Sequence, residues 1–224
     1  MLPLYYYNVT PILLPYRVEF YQVLQQLGFT VVAFDYRGFG DSKGTRANDI
    51  SVVDDCITVL EWVTTQYPST PIVVWGHSLG SGISTKFLSE LQASSTCSDI
   101  SKIRGLILES GFTSAADAAA QFPAARYWNY FRVTRDRIPR SLHGIFPTID
   151  LLPELRVPVQ LIHAVDDKTI PHQHSVLLKE RCEERSKQDV ELFSAQTGEH
   201  RFLHRNEAAV QTARQFIERV CADS

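Results

Sequence analysis

The sequence predicts an α/β protein, a mostly parallel sheet with helices packed on both faces. Three observations predict it. Short apolar, β-branched runs recur along the 224 residues: Phe29 to Asp35, Ile72 to Trp75, Gly105 to Ser110, Pro158 to Ala164 and Val190 to Phe193. Segments with helical periodicity alternate with them, and parallel strands need such crossovers. The turns after the strands concentrate glycine and polar residues, as expected at the carboxyl edge of a parallel sheet. No internal repeat or low-complexity linker interrupts the pattern, so residues 1–224 read as one domain.

In chain order, Leu4 to Tyr7 reads as a strand, and Arg17 to Leu27 as an amphipathic helix stopped by Gly28. The buried strand Phe29 to Asp35 opens into Tyr36-Arg37-Gly38-Phe39-Gly40-Asp41-Ser42. Asn48 or Asp49 caps a helix to about Gln66, with Val52, Val53, Cys56, Val59, Leu60 and Val63 facing inward. Tyr67-Pro68-Ser69-Thr70-Pro71 ends that helix before the Ile72 strand. After the Gly105 strand, residues 111–156 break the alternation. They carry Phe112, Phe122, Tyr127, Trp128, Tyr130, Phe131 and Phe146 among several prolines, and such an excursion from the carboxyl edge suits a lid. Helices follow from Gln173 to Arg185 and from Glu207 to Val220.

Composition excludes some functions. A net charge of −3 gives no footprint for nucleic acid. The four cysteines are scattered, and His200 and His204 lack the glutamate between them that a zinc protease helix requires, so no metal is expected. No run is long enough for a transmembrane helix, and no three-part signal peptide is present. Asn8-Val9-Thr10 is a glycosylation sequon, disfavoured by Pro11.

The chemistry concentrates in Gly76-His77-Ser78-Leu79-Gly80. This Gly-x-Ser-x-Gly pentapeptide lies between a buried strand and a helical segment, the setting of a nucleophile elbow. The turn strains the serine backbone, and only small neighbours tolerate it. Ser78 then stands at the N-terminus of the next helix, where backbone N–H groups such as that of Leu79 favour an oxyanion. A serine nucleophile needs a base, and the base an orienting acid, in the order serine, acid, histidine. The loop His163-Ala164-Val165-Asp166-Asp167 supplies the acid, Asp167 being preferred to Asp166. Thr197-Gly198-Glu199-His200 supplies the base, His200. His77 reads as packed beside the nucleophile and His163 as the end of a buried strand; His143, His172, His174 and His204 read as surface or structural residues.

These residues resemble the serine α/β-hydrolases, and most closely their lysophosphatidylserine lipase and monoacylglycerol lipase branch. The resemblance runs from about Arg17 to the C-terminus, on Arg17-Val18-Glu19-Phe20-Tyr21, Phe34 to Ser42, Trp75 to Gly82, Leu106 to Ser110 and Leu161 to Asp167. It implies the α/β-hydrolase fold and cofactor-free hydrolysis of a lipid acyl ester, lysophospholipid or monoacylglycerol, with membrane association at the endoplasmic reticulum. The aromatic segment of residues 111–156 is compatible with such a substrate, and Phe112, Trp128, Phe131 and Phe146 are its candidate substrate-binding residues. Depalmitoylating thioesterases share several of these motifs, so a thioester substrate is the alternative. The family's N-terminal strand ends in His-Gly, which provides the second oxyanion donor. Here Tyr6-Tyr7-Asn8 stands instead, with no glycine before Gly28. The expectation is a chain N-terminally truncated relative to the family, with Asn8 as substitute donor. A catalytically impaired binding or regulatory form is the second class of function that this departure raises.

Overall fold

The computed structural model describes residues 2–7, 14–45, 48–94, 98–121, 144–185 and 189–222. Six strands, β1 (Leu2–Tyr7), β2 (Phe29–Phe34), β3 (Ile72–His77), β4 (Ile103–Glu109), β5 (Val159–Ala164) and β6 (Val190–Ala195), pair in the order β2-β1-β3-β4-β5-β6. Every pairing is parallel. The helices are α1 (Leu14–Gln26), α2 (Ser51–Gln66), α3 (Leu79–Ala93), α4 (Ala115–Gln121), α5 (Thr148–Leu151), α6 (Gln173–Arg185) and α7 (Glu207–Cys221).

Alternation along the strands divides the core into two layers, because successive side chains leave a strand on opposite faces. Val74, Leu106, Leu108, Val159 and Leu161 meet α2, α3 and α6 through Cys56, Leu60, Ile83, Phe87 and Leu178. Val73, Trp75, Ile107, Ile162 and Ala164 meet α1 and α7 through Phe20, Leu24, Ala213, Phe216 and Ile217. Both faces of the central strands are therefore dry, which is why β3, β4 and β5 read as unbroken apolar runs.

Three expectations change. The Phe29 strand lies at the edge of the described sheet, and past Phe29 its residues are only half-buried, because it has a strand neighbour on one side alone. The α2 N-cap position is Ile50, which makes no side-chain cap. Asn48 instead accepts the N–H groups of Ile50 and Ser51 with its Oδ1, at 3.0 and 2.8 Å, holding the turn before the helix. Val59 is only partly buried, while Thr64 joins the inner face of α2.

The sheet sets the site by register. His77 aligns with Glu109, Glu109 with Ile162 and Ala164 with Ala195, so β3 to β6 end at one edge. Tyr7 aligns with Gly76, and β1 ends beside the elbow. Of the segment read as a lid, residues 122–143 lie outside those described.

Candidate active site

Only Ser78 separates β3 from α3. Its φ of 53° and ψ of −120° lie where a non-glycine residue is strained. The surroundings hold that conformation: Ser78 N–H donates to the Glu109 carbonyl at 2.9 Å, and the Ser78 carbonyl accepts from Ser81 N–H at 2.9 Å and Ser81 Oγ–H at 2.6 Å. A Cβ at Gly76 would stand 2.7 Å from both the Gly80 carbonyl carbon and Ser84 Oγ. The strand and the returning helix thus meet at a distance only glycine allows. Leu79 opens α3, where its N–H has no intrahelical acceptor, and its side chain is exposed.

Three loops bring the predicted side chains together. His200 Nε2 lies 2.9 Å from Ser78 Oγ, and His200 Nδ1 lies 2.7 Å from Asp167 Oδ2. A carboxylate only accepts, so Nδ1 carries the proton of a neutral His200 and Nε2 is left to accept from Ser78. Asp167 Oδ1 accepts the N–H groups of Thr169 and Ile170 at 2.8 and 2.9 Å. Burial pushes the Asp167 carboxyl up, but the adjacent His163 ring, the His200 hydrogen bond and the Ile170 N–H outweigh it and hold the group well below the usual carboxylate range. Asp166 turns away and accepts Glu199 N–H at 2.8 Å, fixing the histidine loop next to a Glu199 of positive φ. The two neighbouring aspartates therefore do different work: one faces the imidazole, the other its loop.

Functional support that sequence reasoning missed lies beneath the serine. His77, buried in β3, donates Nε2–H to the His200 carbonyl at 2.7 Å, tying the elbow to the histidine loop. Burial, then the charges of Arg17 and His200, hold its pKa well below the ordinary histidine value, so the ring is neutral. Glu109 and Arg17 form an ion pair at 3.3 Å with exposures of 1% and 3%, and Trp75 Nε1–H donates to the same carboxylate at 3.0 Å. A charged residue ending an apolar strand run was the available signal. Of the other histidines, His163 is fully buried, His172 meets Ser194 Oγ at 2.8 Å, and His204 is buried with Nε2 3.3 Å from Glu19. His174 is also buried, its Nδ1 accepting from Thr113 N–H at 3.3 Å.

The aromatic residues expected to bind substrate divide. Phe112 and Phe146 are buried in the core and press on α3, where a Cβ at Gly82 would meet Phe146 Cβ at 2.6 Å and Phe112 Cζ at 2.9 Å. Their rings pack beside Gly82, whose missing side chain leaves room for them. Trp128 and Phe131, like Asn8 and His143, lie outside the described residues. Among the described residues no group of histidine, cysteine and carboxylate side chains could hold a metal ion. No described helix is long and apolar enough to cross a membrane.

A strained serine, an imidazole and a carboxylate in series at the carboxyl edge of a parallel sheet define a serine hydrolase of the α/β-hydrolase fold. The chain belongs to the family described as serine aminopeptidase, S33, whose model matches residues 17–143. Lysophosphatidylserine lipase ABHD12 of Macaca fascicularis is 32% identical over 213 residues, covering 90% of this chain and 52% of its own length. Protein ABHD12B of Homo sapiens is 30% identical over 211 residues, covering 91% of this chain and 56% of its own. The chain spans about half the length of the curated relatives it matches. Among solved structures, the Pyrococcus furiosus esterase Pf2001 superposes with a TM-score of 0.73 at 21% identity, over 97% of this chain and 81% of that one. Mouse alpha/beta hydrolase domain-containing protein 10 does so at 0.64 and 16%, over 99% and 90%. These structures share the fold.

Proposed function

We propose that this chain, read as one hydrolase domain, cleaves the acyl ester of a lipid, a lysophospholipid or monoacylglycerol, through Ser78, His200 and Asp167. The observation that carries the reading is the unbroken hydrogen-bond series from Ser78 Oγ through His200 to Asp167, at 2.9 and 2.7 Å, on a serine of φ 53°. Ser78 Oγ attacks the acyl carbonyl as His200 Nε2 takes its proton, and Asp167 holds the imidazolium so formed. His200 returns that proton to the leaving alcohol, leaving an acyl-serine, and then removes a proton from water to hydrolyse it. The Leu79 N–H faces the oxyanion, and the second donor comes from the segment after Tyr7, where Asn8 stands. The lipid class is supported by the relatives named lysophosphatidylserine lipase.

Labelling of the chain by a fluorophosphonate, compared with Ser78→Ala, tests the chemistry. Well-folded protein that shows no Ser78-dependent labelling would sink the enzyme reading in favour of a binding or regulatory form. A panel of lysophospholipid, monoacylglycerol and acyl-thioester substrates tests the class, and a clear preference for the thioester would favour a depalmitoylase.

A further inference from the structure

We propose that His163 is a positioning residue for the acid and base of this site, its Nε2–H bonded to the Ile170 carbonyl and lying against Asp167 Oδ2, the oxygen that also faces His200. The inference rests on the assignment of Ser78, His200 and Asp167 above.

His163 Nε2 lies 2.9 Å from the Ile170 carbonyl oxygen and 3.3 Å from Asp167 Oδ2. Both oxygens only accept, so Nε2 carries a proton. Nδ1, 2.7 Å from Ser175 Oγ, accepts that hydroxyl's proton when the ring is neutral. The imidazole is thus pinned from both sides, to the acid loop and to α6, with no exposed surface. Thr169 and Ile170 N–H occupy Oδ1, His200 Nδ1–H occupies Oδ2, and His163 Nε2 stands 3.3 Å from that same oxygen. Three donors hold the carboxylate and His163 packs against it, so the group cannot rotate without losing them.

The shared oxygen gives His163 a chemical effect beyond packing. A second N–H on Oδ2 draws charge from the atom that stabilises the His200 imidazolium. Without it, Oδ2 holds that imidazolium more strongly, His200 protonates at higher pH, and the free base is lost earlier as pH falls. Other titratable groups surround the pair. His77 on β3 has its ring 5.0 Å from that of His200, and His172 has its ring 5.6 Å from that of His163. His174 on α6 interacts with His163, Asp167 and Asp117. Asp166, Lys168, Glu199 and Arg201 flank the acid and base in sequence.

The test is the pH profile of the fluorophosphonate labelling rate of the full chain, for wild type, His163→Leu and His163→Gln. Ser78-dependent labelling of wild type checks the triad reading separately. In His163→Leu the acid limb should move up by about half a pH unit, and the plateau should fall roughly tenfold, the scale of one lost hydrogen bond to a charged group. His163→Gln, which keeps an N–H donor, should return the limb towards wild type. A slower His163→Leu with an unmoved limb would reduce His163 to packing and overturn the proposal. Because a fully buried leucine can compromise folding, ¹⁵N-histidine NMR of wild type decides independently. The His163 proton should reside on Nε2 throughout the active pH range, and an Nδ1–H tautomer would remove the donor and the proposal with it.

Discussion

The backbone N–H of Ser78 donates to the carbonyl oxygen of Glu109 at 2.9 Å, and the side chain of that same Glu109 closes the buried ion pair with Arg17. The strained elbow is therefore fastened to β4 at the residue whose carboxylate anchors α1. Glu109→Gln leaves the carbonyl in place and an acceptor for Trp75, but it removes the carboxylate charge that faces Arg17 in the interior. Removing one partner of a buried pair costs about 3–5 kcal/mol. Urea denaturation should show a loss of that order, while the labelling rate of the folded fraction stays close to wild type. Equal stability would mean that Arg17 is satisfied without Glu109.

Asp167→Asn should abolish turnover while leaving the loop intact. The Thr169 and Ile170 N–H groups demand an acceptor at Oδ1, so an asparagine places its carbonyl there and its NH₂ where Oδ2 stood. That NH₂ faces His200 Nδ1 and forces the proton onto Nε2, which then cannot accept from Ser78. A loss of about 10⁴-fold in kcat is expected, as for the wrong tautomer in serine proteases. An ester assay with a thermal melt checks it: a near-wild-type kcat would refute the role of Asp167.

Much of this arrangement is legible in the sequence because it depends on local chemistry. Pro71 and the β-branched run after it mark β3, the glycines mark the sharp turn at Ser78, and the fixed order of serine, acid and histidine singles out the loops of Asp167 and His200. What is not legible depends on neighbours distant in sequence. His163 reads as the end of a buried strand and His77 as packed beside the nucleophile, because nothing local says that one lies by the carboxylate of Asp167 and the other by the carbonyl of His200. Phe29 to Phe34 is as apolar as the central strands, so its edge position shows only in the strand order. Phe112 and Phe146 read as lid aromatics, and their packing beside Gly82 shows only once α3 has folded back over the sheet.

Acid should destabilise the fold in two stages. The His77 pKa is depressed by burial first, then by the Arg17 and His200 charges, and that of His174 chiefly by burial against the pull of Asp117. Both rings take up protons in the unfolded chain below about pH 6.5 but resist doing so when folded. Their contribution is full above that value and shrinks as pH falls, by up to about 1.4 kcal/mol per pH unit for a buried group such as His77. Asp167, depressed in the other charge type, keeps its contribution above about pH 3.9 and loses it below. Urea midpoints at pH 8, 7, 6 and 5 should fall across the last two points, and His77→Gln should flatten that fall. Midpoints level from pH 8 to 5 would contradict the neutral, buried state of His77.

The elbow should tolerate a methyl group at Gly82 better than at Gly76, although both positions are tightly packed. At Gly76 the added Cβ meets the Gly80 carbonyl carbon and Ser84 Oγ, each at 2.7 Å, and the backbone at Gly80 cannot yield without tilting the first turn of α3. That turn carries the Leu79 N–H and fixes Ser78, so Gly76→Ala should lose stability and labelling rate together. At Gly82 the clash is with the side chains of Phe146 and Phe112, which can shift where a backbone carbonyl cannot. Overpacking of this kind costs about 1–3 kcal/mol, and the loss should fall on stability alone. Gly28, with φ +88° and open space around its Cα, is the control, since alanine there meets only backbone strain of about 1 kcal/mol. Melting temperatures and labelling rates of the three variants separate these cases. A Gly76→Ala chain that melts lower but labels normally would show that the elbow geometry does not depend on the contact between Gly76 and Gly80.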